Sequence, residues 1–153
     1  MEQSNALLQV SEIQLVYKPV IRPSQRLKVG QASDVYKILL DGWDKDSIHL
    51  VEQFKIVLLN KACKVLGVST ISTGGITGTI VDMKLVFGIA LKGGASSIVL
   101  THNHPSGGLI PSTQDRNLTR KIYEAGRILD IDVVDHLIIS TEGYYSFAEE
   151  GIL

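Results

Sequence analysis

Ser97-Ile98-Val99-Leu100-Thr101-His102-Asn103-His104-Pro105-Ser106-Gly107 runs from an apolar segment through a histidine pair into a turn. The apolar part reads as a buried strand, with both histidines at its end. In an extended segment, residues i and i+2 project to the same face, so both imidazoles can reach one point. A carboxylate arriving from the next helix would complete a three-ligand zinc site with a fourth position left for water. That arrangement belongs to hydrolytic metal sites.

Outward from this stretch, strands alternate with helices. Residues 10–17 alternate as a strand does, and Pro19 and Pro23 break them into a linker. Ser33 or Asp34 is expected to cap a short helix carrying Val35, Ile38 and Leu39 that ends near Asp41-Gly42-Trp43. Residues 52–59 and 65–72 are two apolar runs joined by polar Asn60-Lys61-Ala62-Cys63-Lys64, the pattern of a hairpin. Thr73-Gly74-Gly75-Ile76-Thr77-Gly78 reads as a flexible connection. Asp82 can cap a helix over 83–91 that is apolar nearly all round, and so is expected to be buried. A strand over 96–101 leads into the histidine loop, followed by a long helix over 112–129. Residues 133–140 form another apolar strand and 143–147 a last short one. Helices interleaved with strands imply an α/β layer fold, and the early hairpin makes its sheet mixed.

Composition sets the outer bounds. A chain of 153 residues is most simply one domain and can bury a core without staples. Its 15 basic and 16 acidic residues leave a net charge of -1, so no global charge favours nucleic acid or an acidic membrane. The single cysteine, Cys63, excludes an internal disulfide and fits a reducing compartment. Met1-Glu2-Gln3-Ser4-Asn5 lacks the basic-then-apolar pattern of a secretory signal. The longest uncharged stretch, 65–81, is interrupted by Ser, Thr and Gly and makes a poor membrane span. The expectation is a cytoplasmic domain.

In the long helix, Leu118, Ile122, Ala125 and Leu129 recur at helical spacing and mark its buried stripe. Asp115 lies three residues before Leu118 and extends that stripe towards the end of the histidine strand. A bare carboxylate there is costly unless paired or bound to a metal. Ser112-Thr113-Gln114-Asp115 also matches a capping box, and its Ser112 can start the helix while the hydroxyl faces the site. Pro105 favours an extended His104, and Ser106-Gly107-Gly108 can turn the chain into the helix. Two imidazoles and a carboxylate suit zinc.

His102-x-His104, ten residues, then Asp115, with Ser112 three before it, resembles the JAMM signature of MPN-domain metalloproteases. The run 102–107 with Pro111-Ser112 and Asp135-His136-Leu137-Ile138-Ile139 resembles the bacterial RadC family, from about Glu52 to the end. The resemblance implies a three-layer JAMM/MPN-like, cytidine-deaminase-like mixed sheet flanked by helices. It implies zinc on His102, His104 and Asp115, an oxyanion-assisting Ser112, and a catalytic glutamate at Glu52. The residues themselves leave both Glu12 and Glu52 open as strand-borne candidates, and spacing does not choose between them.

RadC proteins commonly carry an N-terminal helix-hairpin-helix module associated with DNA binding. Residues 1–48 read instead as a strand, linker and helix added to a metal-site core over 49–153, all in one domain. The expected function is zinc-dependent cleavage of a peptide or isopeptide bond in a protein substrate, with nucleic acid no direct ligand. The rival is a non-catalytic MPN-like interaction module, with a DNA-repair association suggested by the family name. Oligomeric state is open. One cysteine cannot supply the Pro-Cys-x-x-Cys pair of a zinc deaminase, and no His-Glu-x-x-His helix is present. Gly74-Gly75 and Gly93-Gly94 fit no phosphate loop. Cys63 has no activating base nearby in sequence. Asp135 and His136 are adjacent on a strand and face opposite sides, so His136 is expected to be structural.

Overall fold

The computed structural model describes residues 14, 16, 18–75 and 78–153. Apart from Gln14 and Val16, the strand expected at 10–17 lies outside the described residues, as does the alternative glutamate Glu12. After a short 3-10 turn at Pro23–Gln25 come α1 (Ala32–Gly42), β1 (Gln53–Leu59), β2 (Val65–Thr73), α2 (Met83–Lys92), β3 (Ser97–Asn103), α3 (Thr113–Ile128), β4 (Asp132–Ile139) and β5 (Tyr144–Ser146). The strands form one mixed sheet in the order β2-β1-β3-β4-β5. β1 pairs antiparallel with both β2 and β3, and β5 antiparallel with β4, whereas β3 and β4 run parallel. A parallel neighbour needs a crossover connection, which α3 supplies. The histidine stretch therefore sits at the carboxyl end of a central strand, where ligands gather in open α/β sheets.

Alternation along the strands divides the core into two layers. Phe54, Ile56 and Leu58 of β1 and Ile98 and Leu100 of β3 pack with Val86, Phe87 and Ala90 of α2 and Ile122 of α3. Val57, Leu59 and Val99 point the other way, onto Val35 and Leu39 of α1. Helices thus cover both faces, which gives the three layers expected. Every residue of β3 is buried.

Several local expectations shift. Gln31, in extended backbone, occupies the cap position of α1, and Asp34 acts from the first turn instead. Its carboxylate accepts from the Gly30 and Gln31 N–H groups at 2.9 and 3.1 Å, so neither Ser33 nor Asp34 is the cap itself. Asp82 does cap α2, accepting from Lys84 N–H at 2.8 Å. That helix is not buried all round, because an outer-layer helix meets the sheet on one side only. Leu85 and Leu91 remain half exposed. β3 runs on to Asn103, with Phe54 pairing His102 and Ile139 pairing Asn103. His102 therefore lies within the strand rather than in the loop.

In α3 the buried positions are Thr119, Ile122 and Gly126, with Leu118 and Ala125 at the margin and Leu129 exposed beyond the last turn. Gly126 is required there, since a Cβ would stand 2.4 Å from the Ile131 carbonyl oxygen. The buried stripe is thus rotated from the one that leucines alone suggest.

Candidate metal centre

His102 and His104 share the α3 side of β3, as their i, i+2 spacing requires. Asp115, on the first turn of α3, meets them. His102 Nε2 lies 3.2 Å from Asp115 Oδ1, His104 Nε2 lies 3.5 Å from Asp115 Oδ2, and the two Nε2 atoms are 3.1 Å apart. Two donors bound to one tetrahedral zinc at about 2.0 Å stand about 3.3 Å apart. The three separations lie near that edge, although the two histidines meet different oxygens of the carboxylate, and the donor set is two imidazoles and one carboxylate. Among the described residues this is the cluster of His, Cys, Asp and Glu side chains that could hold a metal ion.

Local structure fixes each of the three donors. His104 Nδ1 is 2.9 Å from the Gly108 carbonyl oxygen, which can only accept, so Nδ1 donates there and Nε2 is the nitrogen turned to the site, a donor to Asp115 when protonated and a ligand when not. The 104–107 turn that brings Gly108 round is closed by Gly107 N–H donating to His104 O at 2.8 Å, with Gly107 at φ 81°. Asp115 is held by a reciprocal cap. Its Oδ2 accepts from Ser112 N–H at 2.7 Å, and its own N–H donates to Ser112 Oγ at 3.0 Å. Capping and site geometry coincide in one carboxylate.

The charges follow from these contacts. Burial pushes the Asp115 carboxyl up, but hydrogen bonds with His102 and His104 outweigh it and hold the group well below the usual carboxylate range. The hydrogen bond to Asp115 raises the His104 pKa, against the lowering effect of burial. His136 is lowered well below the ordinary histidine value, first by its complete burial and then by the neighbouring His102.

Glu52 immediately precedes β1 and is kept extended by pairing with the glycine connection. Gly74 N–H donates to its carbonyl at 2.8 Å, and its N–H donates to Gly75 O at 3.3 Å. Two residues before Phe54, it shares the face that looks towards α3. Glu52, Phe54, His102, His104, Ser112 and Asp115 all line one open cleft of about 690 Å³, within the size range of small-ligand sites.

Three residues that the sequence does not mark as part of the site also support it. Asn103, between the two histidines, points to the opposite face. It donates to Ile48 O and Val51 O at 2.7 and 2.9 Å and accepts from Gln53 N–H at 2.8 Å, clamping the segment that carries Glu52. Asn103→Ala orphans these main-chain groups, and a destabilisation of about 3 kcal/mol is expected from unmet hydrogen bonds. Urea unfolding measures it, and a loss below about 0.5 kcal/mol would show that the clamp carries no weight.

The other two are His136 and Thr119. Asp135 turns away to accept from Ser146 Oγ and Ala148 N–H at 2.6 and 3.0 Å, so the adjacent pair does not share an ion. His136, however, is not merely a packed residue. Its Nε2 lies 2.8 Å from His102 Nδ1, and its Nδ1 lies 2.6 Å from Thr119 Oγ1. A bulge brings it there. Val133 packs in the α2–α3 layer while Leu137 and Ile139 pack in the α1 layer, which strict alternation forbids. Between the pairs Ile98–Val133 and Val99–Asp135 the register slips past Val134, and the parity of β4 reverses.

A family model described as RadC-like JAB domain matches residues 29–152. Similar proteins include a UPF0758 protein of Flavobacterium johnsoniae, 44% identical over 80% of this chain and 57% of the relative. Another, from Symbiobacterium thermophilum, is 43% identical over 69% of this chain and 45% of the relative. A third, from Thermotoga maritima, is 35% identical over 82% of this chain and 55% of the relative. The chain spans about half the length of these curated relatives. No helix among the described residues is long and apolar enough to cross a membrane.

Proposed function

The chain belongs to the RadC-like JAB domain family, and from that premise we propose that it is a zinc-dependent hydrolase acting on a peptide or isopeptide bond. The observation that carries this reading is the convergence of His102 Nε2, His104 Nε2 and the Asp115 carboxylate at zinc-like separations inside an open cleft. His102, His104 and Asp115 would hold the ion. Zinc, when bound, polarises a carbonyl and lowers the pKa of water towards neutrality.

The chain's own residues supply the rest. Glu52 stands at the cleft wall as general base, takes the proton from the attacking water and delivers it to the departing amine nitrogen. The water oxygen bonds to the carbonyl carbon as the C–N bond breaks, leaving a carboxylic acid and an amine. Ser112 is the oxyanion donor. Its cap bond uses a lone pair on Oγ, so the hydroxyl hydrogen is free to point into the cleft. Capping the helix and assisting the reaction do not compete.

Cleavage of quenched peptide and isopeptide libraries tests the reading. Zinc-loaded protein is expected to cleave members of at least one library, a strong chelator to stop it, and added zinc to restore it. Cleavage that persists unchanged after the metal is stripped would sink the proposal.

A further inference from the structure

We propose that Thr119 and His136 lock His102 in the tautomer that can bind a metal, with the anchor of the lock being the main-chain carbonyl of Asp115. This rests on the reading of His102 as a metal ligand. The contacts begin at a group with no choice of role. The Asp115 carbonyl oxygen can only accept, so the Thr119 hydroxyl, 2.6 Å away, donates to it. That uses the single hydroxyl hydrogen, and Thr119 Oγ1 must then accept from His136 Nδ1 at 2.6 Å. His136 therefore carries its proton on Nδ1 and offers a lone pair from Nε2. Across 2.8 Å, His102 answers by donating from Nδ1, which leaves Nε2 as the nitrogen that faces His104 and the Asp115 carboxylate.

Reversing the chain fails at its anchor. A proton on His136 Nε2 would require Thr119 to donate to Nδ1, leaving two acceptor oxygens 2.6 Å apart at the Asp115 carbonyl. His136 cannot swing to another partner, because it is fully buried with Phe147 stacked on it and Phe54 meeting it edge-on. His104 reaches the same state in one step through the Gly108 carbonyl. For His102, two positioning residues carry the instruction, and it ends on the third ligand. Asp115 thus presents its carboxylate to the metal while its carbonyl dictates which nitrogen of His102 is left to bind there.

Nitrogen-15 NMR of the imidazoles and Zn²⁺ titration against a chromophoric chelator test this. In metal-free wild-type protein, His136 is expected to be neutral with its proton on Nδ1, and His102 to be protonated at Nδ1. Thr119→Val should weaken Zn²⁺ binding about 10- to 100-fold while Thr119→Ser stays within about threefold of wild type, the scale of losses seen when partners of ligating histidines are removed. A His136 proton on Nε2 in the wild type would overturn the lock without requiring any variant to fold. Unchanged Zn²⁺ affinity in folded Thr119→Val would overturn it too. If wild type bound no Zn²⁺, the proposed hydrolase would fall, and the NMR measurement would still decide the tautomers.

Discussion

His104→Ala is expected to lose stoichiometric zinc. Wild-type protein should carry about one zinc per chain, and the variant less than about a tenth of that after dialysis. A four-ligand zinc site binds with about 10–16 kcal/mol, so one ligand is worth roughly 3 kcal/mol, or about 10²-fold or more in affinity. The fold should survive, because His104 lies past the end of β3, is one-fifth exposed, and outside the cluster with His102 and Asp115 is bonded only to the Gly108 carbonyl of its own turn. Zinc raises the melting temperature of any protein that binds it only when folded. That shift is expected in wild type and absent in His104→Ala. Equal zinc content in the two proteins would remove the ion from this site.

The visible parts of the centre in the sequence were those set by short-range periodicity. His102 and His104 follow from strand alternation, and Asp115 from its place on a helical stripe that continues to Ile122. Both periodicities act over a few residues and survive in the fold. Glu52 was different. Its partners are Gly74 and Gly75, more than twenty positions away, and no local pattern separates a strand-leading glutamate in a cleft from one in solvent. Family resemblance, not spacing, pointed to it.

His136 and Thr119 were hidden for two further physical reasons. Alternation predicts the face of His136 correctly only if the count passes through a bulge at Val134 that the apolar run 133–140 does not reveal. Thr119 is buried on α3, but a threonine does not mark a helix stripe as a leucine does, so Leu118 beside it drew the line instead. Asn103 escaped because its clamp joins residues some fifty positions apart. Sites of this kind show their ligands locally and hide the groups that orient them.

Glu52→Gln is expected to separate metal binding from turnover. Glutamine keeps the size of the side chain and its oxygen but cannot take up a proton near neutrality, so a general base is lost and little else. Activity should fall by about 10² to 10⁴, the range ascribed to a positioned acid–base group. Zinc content and melting temperature should stay at wild-type values, since Glu52 is not one of the three converging donors and its main-chain pairing with Gly74 and Gly75 is independent of the side chain. The same variant distinguishes the hydrolase from a binding module. In a module that uses the fold without turnover, wild type binds zinc and cleaves nothing, and Glu52→Gln alters no measurable property. In a hydrolase, the variant holds zinc and substrate and stalls before the C–N bond breaks. Full activity in Glu52→Gln would transfer the proton from this carboxylate to another group in the cleft, with exposed His49 the next titratable side chain on its wall.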